Sequence, residues 1–124
     1  MSWLRRVFGG QAAPRRASPS KEALDALTLT QLAKAGADLS RPTEIIHYLY
    51  LPTEAQARDA ARELEVAGYA VEVRHAAQGS HWLALSKIEE IPSADNIGRS
   101  RARFEALAAR LDGEYDGWEA AVTR

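Results

Sequence analysis

The chain has 124 residues, 46% of them apolar and 27% charged, with a formal net charge of −1. That length supports one domain, and the balance excludes both an acidic disordered polymer and a bulk basic nucleic-acid coat protein. There is no cysteine, which excludes a disulfide framework, a thiolate nucleophile and a cysteine-based zinc site.

The apolar count includes 24 alanines, so large core side chains are few and helices can approach a sheet closely. The near-neutral total also hides an asymmetry. Residues 1–21 carry Arg5, Arg6, Arg15, Arg16 and Lys21 with no acid, and the remaining 103 residues carry a net charge of −6. A basic leader precedes an acidic body.

Residues 1–20 read as a basic, flexible leader. The stretch QAAPRRASPS, 11–20, has linker composition. The apolar run from Trp3 to Phe8 is too short for a membrane span or a secretory signal. Trp3, Leu4, Val7 and Phe8 beside Arg5 and Arg6 offer weak contact with an anionic membrane or a partner groove. With no secretory signal and no cysteine, the expected compartment is the cytoplasm.

Residues 21–124 form the expected domain. Ser18 or Ser20 can cap a helix over about 20–35, with a stripe of Leu24, Leu27, Leu32 and Ala35. TEIIHYLYL, after Pro42, predicts a strand. Its faces are Ile45, His47, Leu49, Leu51 and Ile46, Tyr48, Tyr50. Both are largely apolar, so a central strand covered on each side is expected. Pro52 ends it. Thr53 and Gln56 have capping-box spacing, and Ala57, Ala60, Ala61 and Leu64 give a helical stripe closed by Gly68.

Tyr69, Val71 and Val73 alternate with polar residues and predict a strand. A turn over 76–80 leads into HWLALSKI, completing a hairpin with Leu83 and Leu85 facing the helices and Trp82 and Ala84 opposite. Ile97, Phe104, Leu107, Ala108 and Leu111 predict a second strong helix, ended by Gly113, with Arg99, Arg103 and Arg110 on its solvated face. Asp116-Gly117 reads as a turn and Trp118–Val122 as a short last strand. The order β-α-β-β-α-β predicts an α+β, ferredoxin-like sandwich, a four-stranded antiparallel sheet with two helices on one face and an extra N-terminal helix.

The residues do not point to catalysis. His47, His75 and His81 have no paired metal-ligand spacing, no serine lies in a nucleophile elbow, and the only paired glycines, Gly9 and Gly10, stand in the leader. No metal or cofactor is expected. Direct RNA binding is opposed by the acidic body and by the missing aromatic-glycine signature on the hairpin strand. What remains is a protein-binding surface. Tyr115, Asp116, Gly117, Trp118 and Glu119 set aromatics beside acids, and Trp82 offers a further aromatic.

Four segments carry a family resemblance: AGADLSRPTEIIHYLYLPTEAQA, LEVAGYAVEV, HWLAL and, most specifically, RFEALAARLDGEYDGWE. From about Ala23 to Ala121 the chain resembles RraB, the regulator of ribonuclease E activity B. The resemblance implies a ferredoxin-like sandwich and a protein inhibitor that binds ribonuclease E in its scaffold region and lowers RNA cleavage. The motif positions it marks are His47, Tyr50, Pro52, Gly68, Tyr69, Trp82, Tyr115, Asp116, Gly117 and Trp118. Members can carry an acidic extension after the Tyr-Asp-Gly-Trp motif, whereas six residues follow Trp118 here. The expectation is therefore a cytoplasmic regulator, not an enzyme, with ribonuclease E or its degradosome scaffold as partner. Another interaction module of the same fold, or a direct RNA binder, is the alternative.

Overall fold

The computed structural model describes residues 6–9 and 20–122. Helix α1, Lys21–Lys34, starts where the Ser20 hydroxyl accepts from the Ala23 amide at 3.1 Å. Its inward residues are Asp25, Thr28 and Leu32, while Leu27 is 54% exposed. Of the stripe read from the sequence, Leu32 is buried, Ala35 packs on the same cluster and Leu24 is half-buried, so Leu27 alone is left outside. A buried ion pair made by Asp25, described below, sets the face that α1 turns inward.

Strand β2, Thr43–Leu51, follows Pro42 and lies in the middle of the sheet. Helix α2, Glu54–Val66, is capped by Thr53, whose hydroxyl accepts from the Gln56 amide at 3.2 Å. The Gln56 side chain also donates to the Leu111 carbonyl, tying the start of α2 to the end of the next helix. Ala57, Ala60, Ala61 and Leu64 are its buried face, as their spacing predicts. Gly68, at φ +106°, ends the element in a conformation that side chains rarely adopt.

Strands β3, Ala70–His75, and β4, Trp82–Glu90, form the expected hairpin. Helix α3, Ala94–Leu111, is capped by Ser93 and buries Ile97, Phe104, Leu107 and Ala108. Strand β5, Glu114–Ala121, is longer than its predicted stretch. Asp116-Gly117 is not a turn but a bulge inside it. Tyr115 pairs with Leu49 and Trp118 with His47, so the two intervening residues of β5 oppose Tyr48 alone.

Strands β2 to β5 lie in the order β5-β2-β4-β3, every neighbour antiparallel, which is the ferredoxin-like arrangement. A fifth strand, β1, Arg6–Gly9, extends the sheet by pairing antiparallel with β5 from Trp118 to Ala121. These four residues were expected to be leader, and Val7 and Phe8 therefore take sheet register. Trp3, Leu4 and the linker stretch lie outside the described residues.

All three helices pack on one face of the sheet. Leu49, Leu51 and Ala84 meet α2 and α3 around Leu64, Phe104 and Leu107. Ile45, Trp118 and Ala120 meet Leu32 of α1 and Ile97 of α3. The hairpin parity is the reverse of the expected one. Ala84 lies in this core, whereas Leu83 and Leu85 pair with Tyr50 and Tyr48 on the other face. Both sides of β4 are apolar, so alternation alone could not choose. Register against β2 chooses.

Candidate protein-binding face

The Tyr115–Glu119 segment splits across the sheet. Trp118 is fully buried, and its indole Nε1 donates to Asp25 at 2.9 Å. Tyr115 is half-buried, stacked on Phe104 with centroids 5.1 Å apart. The Trp118 ring is not at the surface, Tyr115 lines a pocket with Glu114 and Asp116, and Gly117 is buried in the bulge at φ +99°. Glu119 stands half-buried on the opposite side of β5, across from Ile46, and Asp116 is half-buried in the bulge, lining a pocket with Lys21, Glu105 and Tyr115. Trp82 is half-buried against the ring of His75, with centroids 3.8 Å apart.

The two aromatics are held by a charged network that the sequence reading missed. Arg101 on α3 is 6% exposed and grips Asp25 of α1 with two hydrogen bonds of 2.8 Å. It also reaches Glu105 at 3.1 Å and lies over the Tyr115 ring, 5.1 Å from its centroid. Burial alone would lower the Arg101 pKa, but its hydrogen bonds to Asp25 and the charge of that carboxylate outweigh that and raise it. One signal was available. Arg101 stands four residues after Ile97 and three before Phe104, on the apolar stripe itself.

His47 completes the packed centre. Its ring stacks on Phe104 at 4.6 Å, and Nδ1 is 2.8 Å from the Tyr115 hydroxyl. Nε2 is buried with no hydrogen-bond partner. Burial, reinforced by the positive charge of Arg101, lowers its pKa to about 3, so it is a neutral core residue. Tyr69, another motif position, is buried with its hydroxyl 2.6 Å from Ser100. Pro52 follows the last residue of β2. Among the described residues no group of three metal-ligating side chains occurs, and no helix is long and apolar enough to cross a membrane.

The other face of the sheet carries no helix among the described elements. At its centre Ile46, Leu83 and Leu85 are covered by the half-buried rings of Tyr48 and Tyr50. Among the described elements, helices cover β2 from one side only. A tyrosine ring shields aliphatic neighbours while its hydroxyl can stay near water. Alongside these rings, β5 places Glu119 opposite Ile46 and Glu114 opposite Tyr50, with Asp116 in the bulge between. The Tyr48 hydroxyl donates to Glu119. Burial and the neighbouring carboxylates of Asp116 and Glu114 raise the Tyr50 pKa, and burial with Glu114 raises that of Asp116. Tyr50 is a motif position that does face outward. Tyr48 and Glu114 were not singled out, although Tyr48 shares the strand period of Tyr50.

The arginine row read from the sequence lies on the far side of the molecule. Arg99, Arg103 and Arg110 line a groove of about 430 Å³ between α2 and α3, where Arg110 pairs with Glu63. The molecule therefore sets an acidic, tyrosine-bearing sheet face against a helical layer that carries an arginine-lined groove.

These features define a ferredoxin-like α+β domain. The chain belongs to the RraB family, Regulator of ribonuclease activity B, whose model matches residues 22–120. No curated protein matches the chain. The family regulates ribonuclease activity and is not a catalytic one.

Proposed function

We propose that this protein acts by binding a ribonuclease, and that the enzyme is ribonuclease E, whose cleavage of RNA it lowers in the cytoplasm. Family membership supports the regulatory role. The observation that supports the binding mode is the sheet face opposite the described helices, where Glu119 is bonded to Tyr48 and Glu114 and Asp116 act on Tyr50. An acidic surface with aromatic anchors suits a basic partner surface, including the scaffold region of that enzyme. Trp118 and Tyr115 contribute by holding β5 in place, not by contact.

The test is a titration of the purified chain into purified ribonuclease E cleaving a fluorescent RNA. The expected result is a saturable fall in cleavage rate, together with a complex seen by calorimetry that weakens as salt rises. Unchanged cleavage with no complex at low salt would overturn the reading. A gel shift of the same RNA by this protein alone would move the mechanism to direct RNA binding.

A further inference from the structure

We infer that the groove between α2 and α3 is a second docking surface, and that its occupant is an acidic amphipathic helix of a partner protein. The groove lies across the molecule from the sheet face and does not depend on the ribonuclease contact proposed there.

The lining sets cations beside an apolar floor. Leu64 and Leu107 are buried there, and Ala102 and Ala106 stand exposed between Arg99, Arg103 and Arg110. These exposed α3 residues recur at helical spacing, so they form one stripe. Arg99 and Arg103 are one turn apart, about 6 Å along the axis. A partner helix repeats its own side chains at the same interval, so two carboxylates four residues apart meet both guanidinium groups. The two alanines between the arginines let a second helix approach to the usual packing distance of about 8–10 Å. Val66 is next to Glu63 on the surface of α2 and is 91% exposed, an apolar contact waiting beside the charged one. Apolar positions flanked by charge are what an amphipathic helix reads.

Charge selects an acidic occupant. The lining holds three arginines and one carboxylate, Glu63, which pairs with Arg110. Arg99 bonds the neutral Asn96 and acts on Glu90 through its charge, and among the described residues it has no ion pair with either Glu90 or Asp95. Arg103 has no hydrogen-bond or ionic partner among the described residues. Nearby acids point elsewhere. Glu105 faces Arg101 and Lys21, and Glu65, two residues after Glu63, turns away from the groove. The arginines of α2 are neutralised within that helix, Arg58 by Glu54 and Arg62 by Asp59. No lining residue is aromatic, so a single-stranded nucleic acid would find phosphate contacts but no ring on which to stack a base. This favours a protein occupant over RNA.

The experiment uses the full chain and a labelled helical peptide with leucine along one face and pairs of glutamate four residues apart beside it. A scrambled peptide of the same composition and a uridine oligonucleotide are the comparisons. Anisotropy should show the acidic helix binding about fivefold tighter or more than its scramble, and the oligonucleotide more weakly than either. Arg99→Gln with Arg103→Gln should weaken the acidic helix about tenfold. Ala102→Gln with Ala106→Gln, at exposed positions and with charge and helix propensity kept, should weaken it about fivefold by filling the groove. Glu63→Gln should tighten it by freeing Arg110. The backbone amide resonances of Ala102 and Ala106 in the wild-type chain should shift on titration, a readout that needs no substitution. No saturable binding, equal affinity for the helix and its scramble, or binding untouched by the alanine substitutions would overturn the inference. Tighter binding of the oligonucleotide would overturn it in favour of a nucleic acid. Peptide binding without any effect on ribonuclease E would defeat the proposed function and leave this surface standing, and the opposite result would do the reverse.

Discussion

At the scale of single residues, His47 makes the fold sensitive to acid. Its pKa is about 3 in the folded chain, against an ordinary value near 6.5. Between those limits the unfolded chain takes up a proton that the folded chain refuses. The contribution is complete above about pH 6.5 and is lost as pH falls toward about 3, with a slope of up to about 1.4 kcal/mol per pH unit. Urea unfolding of the wild type should steepen through that window, and His47→Gln should have a visibly shallower profile. Parallel profiles for the two proteins would rule out His47 as the cause. Asp25 has a different consequence. Removing it leaves the buried Arg101 guanidinium with Glu105 as its remaining acidic partner and the Trp118 N–H without its acceptor. Asp25→Ala should cost about 3–5 kcal/mol. Arg101→Leu added to it should cost less than the sum of the two single changes, because no unpaired charge remains.

At the scale of elements, two glycines of α3 and its exit make opposite predictions. Gly98 is helical with open space where a Cβ would stand, so Gly98→Ala should stabilise by about 0.5–1 kcal/mol. A Cβ on Gly113 would lie 2.4 Å from the Tyr50 carbonyl oxygen and 2.6 Å from Leu51 Cδ1. Gly113→Ala should therefore cost about 1–3 kcal/mol, measured by thermal unfolding. The sequence suggested Gly113 as the helix end, but Asp112 takes the left-handed cap at φ +60°. Gly113 is needed for close approach instead. The pattern is general here. Helices α2 and α3 were legible because capping and apolar period are local properties. Strand β1 was not, because four residues become a strand only by pairing with a segment more than a hundred positions away. The same applies to the site. A run of aromatics and acids does not say which side of a sheet each residue takes, and the bulge at Asp116-Gly117 decides it.

At the scale of the whole molecule, the acidic body is polarised. Its carboxylate column lies on the sheet face, while Arg99, Arg103 and Arg110 lie across the sheet and helix layer. A sheet with a packed helix layer is about 10 Å thick or more, comparable with the screening length at physiological salt. Charge on the helical side therefore reaches a partner on the sheet side only weakly at that ionic strength. If a basic segment of the ribonuclease docks on the sheet, replacing Arg99, Arg103 and Arg110 together with Gln should leave its affinity within about twofold at physiological salt. At low salt the same variant should bind slightly faster, because a distant repulsion has been removed. Glu114→Gln, Asp116→Asn and Glu119→Gln together should instead slow association and flatten its salt dependence. Stopped-flow association measured at two ionic strengths separates these outcomes. A strong loss of binding in the arginine variant would place the interface on the helical groove, and the partner would then have to be acidic.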